Sequence, residues 1–407
     1  MILIFSFLII LSMLSTKLSS KIGLPLLIVF IVIGIVAGSD VLNLFYFDNA
    51  ALTKQITDIL LVFIIFDGGF RVQRKNFLSF AGPSLTLATA GVVITALALG
   101  LFIHFVLKIE LLQSFLIASI ISSTDAAAVF MITKERPIKT KLATTLNIES
   151  AANDPMAILL TVTFIQLLTE GIKAPLFIVI SLAWQFAGGI FVGFMLALVT
   201  VFIFNKFNSD NRGNYNVLIL GMVLFCYGLA VLLQANGIIA VFFMGYWLGN
   251  SKFAAKQGVN NFLESISTMC NVALFLILGL LAFPSRFTNI WKEGLIIIFA
   301  LILIARPIAV FLCTIPFKYS IKEKFFIGWG GIKGAVPIVL ATYPAAAGLD
   351  SSSFIFDIFL RSFHFLYSTG NNTWSSFEAF QIYYDKKTVY ALHCRTPLYS
   401  KKRCRNV

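Results

Sequence analysis

From its N-terminus onward the chain is a series of long apolar runs separated by short polar turns. Twelve runs can be drawn, at 2–16, 24–38, 56–70, 81–107, 112–133, 142–168, 174–204, 215–233, 236–250, 266–283, 290–315 and 325–347. A helix crosses a bilayer with about 20 mostly apolar residues. The runs are continuous and do not alternate at period 2, which argues against a β-barrel. The pattern therefore predicts an all-α polytopic membrane protein with about 12 spans. A thirteenth span should start near Phe354, but Arg361 and His364 break its apolar run.

Composition sharpens this reading. Of 407 residues, 59% are hydrophobic and 12% charged, and mean hydropathy is +0.92. A soluble domain is nearer half apolar and a quarter charged, so a disordered chain, a disulfide scaffold and an ordinary cytosolic enzyme are excluded. The net charge of +13 fits basic loops better than nucleic-acid binding. One set of alternate loops holds Lys17 and Lys21; Arg71, Arg74 and Lys75; Lys134, Arg136, Lys139 and Lys141; Lys206 and Arg212; Lys252 and Lys256; and Lys318, Lys322 and Lys324. The opposite set holds only Lys54, Lys108, Lys173, Arg286 and Lys292. The basic set is expected to be cytoplasmic, which puts the N-terminus outward. The first run leads straight into further spans, so no cleavable signal is expected. Cys226, Cys270, Cys313, Cys394 and Cys404 form no CxxC pair, so neither a metal site nor a disulfide framework is expected. No Walker loop, HExxH or nucleophile elbow is present, and no enzyme activity or cofactor is expected.

Ionisable groups inside apolar runs are costly and are functional candidates by default. Asp125 lies in Ser122-Ser123-Thr124-Asp125, in the middle of the fifth run. Four short polar side chains together compete for backbone groups and weaken a helix. An unwound segment at that depth must line a cavity, and its carbonyls can hold a dehydrated cation. Asp154 lies in Glu149-Ser150-Ala151-Ala152-Asn153-Asp154-Pro155, near the start of the sixth run. Glu149 with Asn153, and Ser150 with Asp154, form i, i+4 pairs on neighbouring stripes of one helix. Pro155 removes a backbone donor and frees a carbonyl. Carboxylate, amide, hydroxyl and free carbonyl are hard oxygen ligands that suit Na⁺, K⁺ or a proton. A polar network between packed helices would use the same residues.

Arg306, in the eleventh run, cannot be neutral and needs a buried acid; Glu149 is the best candidate. Lys333 sits in Gly330-Gly331-Ile332-Lys333-Gly334-Ala335-Val336-Pro337, a Gly/Pro-rich break in the twelfth run. It mirrors the break in the fifth, and paired broken helices point to an inverted-repeat transporter. An interfacial base remains the plain alternative for Lys333. Asp67 ends the third run four residues before Arg71, where a helix-end acid at the interface is an equally plain reading. His104 is expected at the interface.

Together, Thr124-Asp125, Glu149-Ser150 with Asn153-Asp154-Pro155, Arg306-Pro307 and Gly331 to Pro337 resemble the bacterial NhaP-type cation/proton antiporter family over residues 1–349. Asp67-Gly68-Gly69 is similar to the branch that exchanges potassium for protons. The resemblance implies thirteen spans, an inverted repeat, a homodimer in the lipid of the bacterial inner membrane, and Na⁺ or K⁺ and H⁺ as substrates. It implies a core bundle at about 81–168 and 290–349, with the rest of 1–349 forming a dimerisation bundle. It implies an ion site made by the Thr124 carbonyl, Asp125, Ser150 and Asp154 and completed by Asp67. Glu149 and Arg306 would form a supporting ion pair with Asn153. Asn153, standing where some relatives have a second Asp, implies electroneutral exchange.

The resemblance stops near Asp357, leaving 350–407 as an atypical tail. The family's last core helix ends in a Gln-Gly-Thr-Thr-like turn. Codons for Thr369-Gly370-Asn371-Asn372-Thr373, read one base later, can encode Gln-Gly-Thr-Thr. The tail is therefore read as the product of a frameshift. Three functions stay open at this point: antiport, a transport-inactive homologue, and a passive ion channel.

Overall fold

The computed structural model describes residues 6–15, 26–38, 40–43, 49–124, 139–171, 175–207, 209, 211–281, 291–330 and 335–349. Among them all regular structure is helical. The helices are α1 (Ser6–Ser15), α2 (Leu26–Ala37), α3 (Ala50–Arg71), α4 (Arg74–Thr86), α5 (Val92–Leu107), α6 (Leu111–Ile121), α7 (Thr140–Glu170) and α8 (Pro175–Lys206). They continue as α9 (Arg212–Leu232), α10 (Gly237–Asn250), α11 (Lys256–Leu280), α12 (Trp291–Ala300), α13 (Arg306–Cys313), α14 (Ile321–Trp329), α15 (Ala335–Leu340) and α16 (Tyr343–Ala346). Six described stretches are long and apolar enough to cross a membrane: 80–107, 141–170, 179–206, 213–232, 256–280 and 292–313.

The helices begin where the turns supply acceptors for their first N–H groups. Asn49 caps α3, Asn211 caps α9, and Asn236 caps α10 by accepting from both Ile238 and Ile239. Ser320 and Glu323 form a reciprocal capping box at α14. The fifth and twelfth runs are the ones that fail to continue. α6 stops at Ile121, and the twelfth run is divided into α14 and α15. Two further irregularities were not expected: π-helical turns at Leu87–Gly91, between α4 and α5, and at Leu301–Ala305, between α12 and α13.

The helices pack in two groups. α2, α3 and α8 to α11 pack on one another, as do α4 to α7 with α12 to α14. α7, α15 and α16 meet α3, α10 and α11 at the seam between the groups. Water does not drive apolar helices together inside a bilayer, so close backbone approach has to do more of the work. Gly69, Gly245 and Gly249 provide it between α3 and α10. A Cβ on Gly245 would lie 2.4 Å from the Phe66 carbonyl oxygen, and one on Gly249 2.0 Å from that of Phe70. Thus the Gly69 of Asp67-Gly68-Gly69 is a packing residue: its own Cβ would meet the Phe242 carbonyl at 2.3 Å.

Hydrogen bonds join turns of the basic set to one another. Asn250 binds Val72 O at 2.8 Å and receives Arg74 N–H at 2.7 Å. Asn205 receives Ala254 N–H at 3.1 Å. Glu323 takes Lys141 at 3.3 Å and Lys139 at 3.6 Å. Burial alone would raise the Glu323 carboxyl, but the Ser320 N–H and the two lysines outweigh it and hold it below its ordinary value. At the other ends of the helices, Trp184 donates to Leu233 O at 3.1 Å and Asn236 N–H to Gln185 O at 3.1 Å. His104 Nδ1 lies 2.7 Å from Ile109 O in the short α5–α6 turn.

Gly245→Leu is expected to lower stability by about 1–3 kcal/mol or more, because the α3 backbone leaves no room for it. Gly228→Ala, facing open space in α9, should leave thermal unfolding in detergent unchanged. Equal melting of the two variants would show that the α3–α10 approach is not a close contact.

Candidate ion-binding site

The site is built where α7 passes the end of α6. Once a helix stops, its last carbonyls have no partner within it. Thr124, three residues past the end of α6, is engaged from α7 instead. Ser150 Oγ donates to the Thr124 carbonyl at 2.9 Å, and the Asn153 side-chain amide donates to the Thr124 hydroxyl. Ser122 Oγ turns back to Ser119 O at 2.6 Å, and Ser119 Oγ lies 3.2 Å from Thr161 Oγ1. Hydroxyls, not helical turns, therefore satisfy the broken end.

Two stripes of α7 share the work. Glu149 and Asn153 are buried, whereas Ser150 and Asp154 are half-buried. The helix is continuous through Pro155, which has no N–H to offer the carbonyl of Ala151. The buried stripe meets the second group element, α13, through Arg306, whose guanidinium donates to Glu149 Oε1. Their side chains are 3% and 1% exposed. Such a pair holds two charges out of water and is costly to break from one side. Arg306 is the first residue after the second π turn. An extra residue in a turn rotates everything after it by about 100° relative to an unbroken α-helix, so that turn sets the face from which Arg306 reaches α7. Among the described residues, Glu149 Oε2, Asn153 Oδ1 and Arg306 Nε have no hydrogen-bond partner.

The other candidate residues fall elsewhere. Asp125, Lys333 and Gly334 lie outside the described residues. Pro337 is buried in the first turn of α15, where a missing N–H costs little. Asp67 is buried at the basic end of α3, and both its oxygens accept from Arg71 Nε, at 3.0 and 2.9 Å. No described hydrogen bond joins it to Thr124, Ser150 or Asn153.

Sequence reasoning passed over a cavity of about 830 Å³ at the seam, lined among others by Lys54, Asp58, Ile158, Tyr227 and Tyr343. Its lining comes from both groups, and no single apolar run announces such a space.

A family model described as "Sodium/hydrogen exchanger, transmembrane" matches residues 5–363. The chain belongs to the sodium/hydrogen exchanger family. It is 37% identical over 351 residues to the K(+)/H(+) antiporter NhaP2 of Shewanella sp. (strain ANA-3), covering 85% of this chain and 61% of that protein. It is 36% identical to the K(+)/H(+) antiporter NhaP of Alkalimonas amylolytica, over 88% of this chain and 62% of that one. The Na(+)/H(+) antiporter NhaH of Halobacillus aidingensis is 27% identical, over 70% and 73%. The chain thus spans about three-fifths of the first two relatives. In fold it matches the sodium proton antiporter MjNhaP1 from Methanocaldococcus jannaschii, with a TM-score of 0.81 at 22% identity, over 93% of this chain and 97% of that one.

Arg306→Ala should cost roughly 3–5 kcal/mol, since it leaves Glu149 as a buried, unpaired acid. Combining Glu149→Gln with Arg306→Gln should recover part of that loss. Thermal-stability assays of singles and double test this; simple additivity would mean that the two side chains are not energetically coupled.

Proposed function

We propose that this member of the family exchanges a monovalent cation, K⁺ or Na⁺, for protons across the bacterial inner membrane. The observation that carries the reading is the oxygen cluster at the end of α6. The Thr124 carbonyl and the Ser150 hydroxyl are 2.9 Å apart, and half-buried Asp154 stands one turn beyond Ser150 on the same stripe. A desolvated cation needs such ligands, and a carboxylate in that setting holds a proton or a cation favourably, but not both. Cation binding expels the proton, and protonation expels the cation. If only the occupied states let the core move, exchange is obligatory. Asp125 adjoins Thr124 in sequence and would add a second carboxylate. Asp67 would have to release Arg71 to join the ion. Asn153, spent on the Thr124 hydroxyl, and the Glu149–Arg306 pair act as supports, and Asn153 supplies no second titratable charge, in keeping with electroneutral exchange. Lys333, Gly334 and Pro337 belong to the second broken run, opposite the first in the repeat.

The helices at 81–168 and 290–349 act as the moving core, and the remaining helices of 1–349 as the scaffold. The scaffold helix α8 exposes Phe177, Trp184, Phe191 and Phe202, a face suited to lipid or to a second copy of the chain. The basic turns face the cytoplasm, with the N-terminus outside. The relatives with the higher identity are named for K⁺, which favours K⁺ over Na⁺ as the cation carried here.

A transport-inactive homologue is the second reading. It is favoured by the family match, which ends at residue 363 although the chain runs on to Val407. A frameshift near codon 358, as read from the sequence, would account for an end close to that point.

In inverted vesicles, addition of K⁺, Na⁺ or Li⁺ should dequench a pH-sensitive dye when the chain with a restored frame is present. Asp154→Asn should abolish this for every cation while leaving expression intact. Normal exchange by that variant would remove Asp154 from the reaction. Current without a proton gradient would indicate a channel instead.

A separate outcome concerns the tail. The 407-residue chain is expected to show little exchange, and a one-base change near codon 358 is expected to restore it. Robust exchange by the unaltered chain would show that the tail is compatible with function.

A further inference from the structure

The cavity at the seam holds a contact that the ion chemistry does not use. Asp58 lies in the N-terminal half of α3. Its Oδ1 accepts the hydroxyl of Tyr343, on α16. Its Oδ2 accepts from Lys54, one turn earlier on α3, at 2.8 Å. The Lys54 ammonium also lies 4.7 Å from the centre of the Tyr343 ring. Tyr227 of α9 and Glu170 at the end of α7 complete the charged and titratable lining.

Two features give this contact a role. First, Lys54 and Asp58 belong to one helix and move together, whereas Tyr343 lies on α16, after the break in the twelfth run and within 290–349, the stretch read above as the moving core. Any displacement of the two groups breaks the Tyr343 bond and leaves the Lys54–Asp58 pair intact. No unpaired charge is then created, so the contact can open and close at modest cost. Second, the cavity comes within about one helical turn of Asp154 in sequence along α7. Its lining includes Ile158, which stands one turn, about 6 Å along the axis, beyond Asp154 on α7. Ile158 itself is 3% exposed.

We infer that the Tyr343–Asp58 hydrogen bond is a latch across the seam, holding the two helix groups in the arrangement that keeps this cavity open. Asp58 and Tyr343 are positioning residues for exchange: they touch no transported ion but set how long Asp154 is approachable from this face. The inference rests on the exchange reading, since it assumes that the groups move.

The test reads conformation directly. In the full chain with its native cysteines replaced, Val162→Cys places a thiol in the cavity lining. Its rate of modification by a membrane-impermeant maleimide, applied from the cavity face with no ion gradient, reports how often the cavity is open. Tyr343→Phe keeps the ring and removes the hydroxyl, and should slow labelling about tenfold, the scale of one hydrogen bond to a charged group. Asp58→Ala should do the same, and the two together should be no slower than either alone. Asp58→Asn retains an acceptor for Tyr343 and should keep most of the rate. Unchanged labelling in Tyr343→Phe, additive slowing in the double variant, or an Asp58→Asn as slow as Asp58→Ala would each overturn the latch. Labelling needs no transport, so failure of the exchange reading would appear separately, as normal exchange by Asp154→Asn.

Discussion

A charge inside a bilayer must find its opposite, and this requirement organises the functional half of the molecule. A guanidinium carries its charge into the bilayer, so the helix that bears Arg306 must dock where an acid waits. Glu149 is that acid, and the docking ties α13 to α7. The polar residues beside that contact sit in fixed register with it: Asn153 lies on the Glu149 stripe, and Ser150 and Asp154 lie on the stripe beside it. The cost of two buried charges is offset only while both are present, which makes the pair a constraint on geometry more than a source of net stability.

The two helix groups are held by different means. Between α3 and α10, glycines let the backbones touch, and Asn250 fastens the end of α10 to the turn after α3. Between α6 and α7, hydroxyls and an amide satisfy a helix end, through bonds that a cation or proton could rearrange. That difference in chemistry is what the proposed division into scaffold and moving core draws on. The seam between them carries the large cavity and, in its wall, the Tyr343–Asp58 contact.

The breaks in α6 and in the twelfth run have a common logic. Each ends a helix at membrane depth, where unpaired carbonyls would be costly against lipid. At the first break the carbonyl of Thr124 is met by Ser150. The interruption is thus tolerable because a neighbouring helix brings polar groups to it, and those are the groups to which the proposed ion site is assigned.

Much of this was legible in the residues. Continuous apolar runs announce spanning helices, because only a helix satisfies its own backbone in lipid. Ser122 to Asp125 and Gly330 to Pro337 announce interruptions, because short polar side chains, glycine and proline weaken a helix locally. The i, i+4 spacing of Ser150 and Asp154 puts them on one stripe whatever surrounds them. Other features needed the assembled structure. The π turns at Leu87–Gly91 and Leu301–Ala305 cannot be read from the apolar pattern, although Pro307, with no N–H for the carbonyl of Leu303, comes just after the second. Asp67 and Arg71 stand at i, i+4 on α3, a spacing that allows their ion pair, but the sequence left an ion-facing orientation equally open. The meeting of Asp58 with Tyr343 joins residues 285 positions apart, and only the packing of two helix groups around a shared cavity could bring them together.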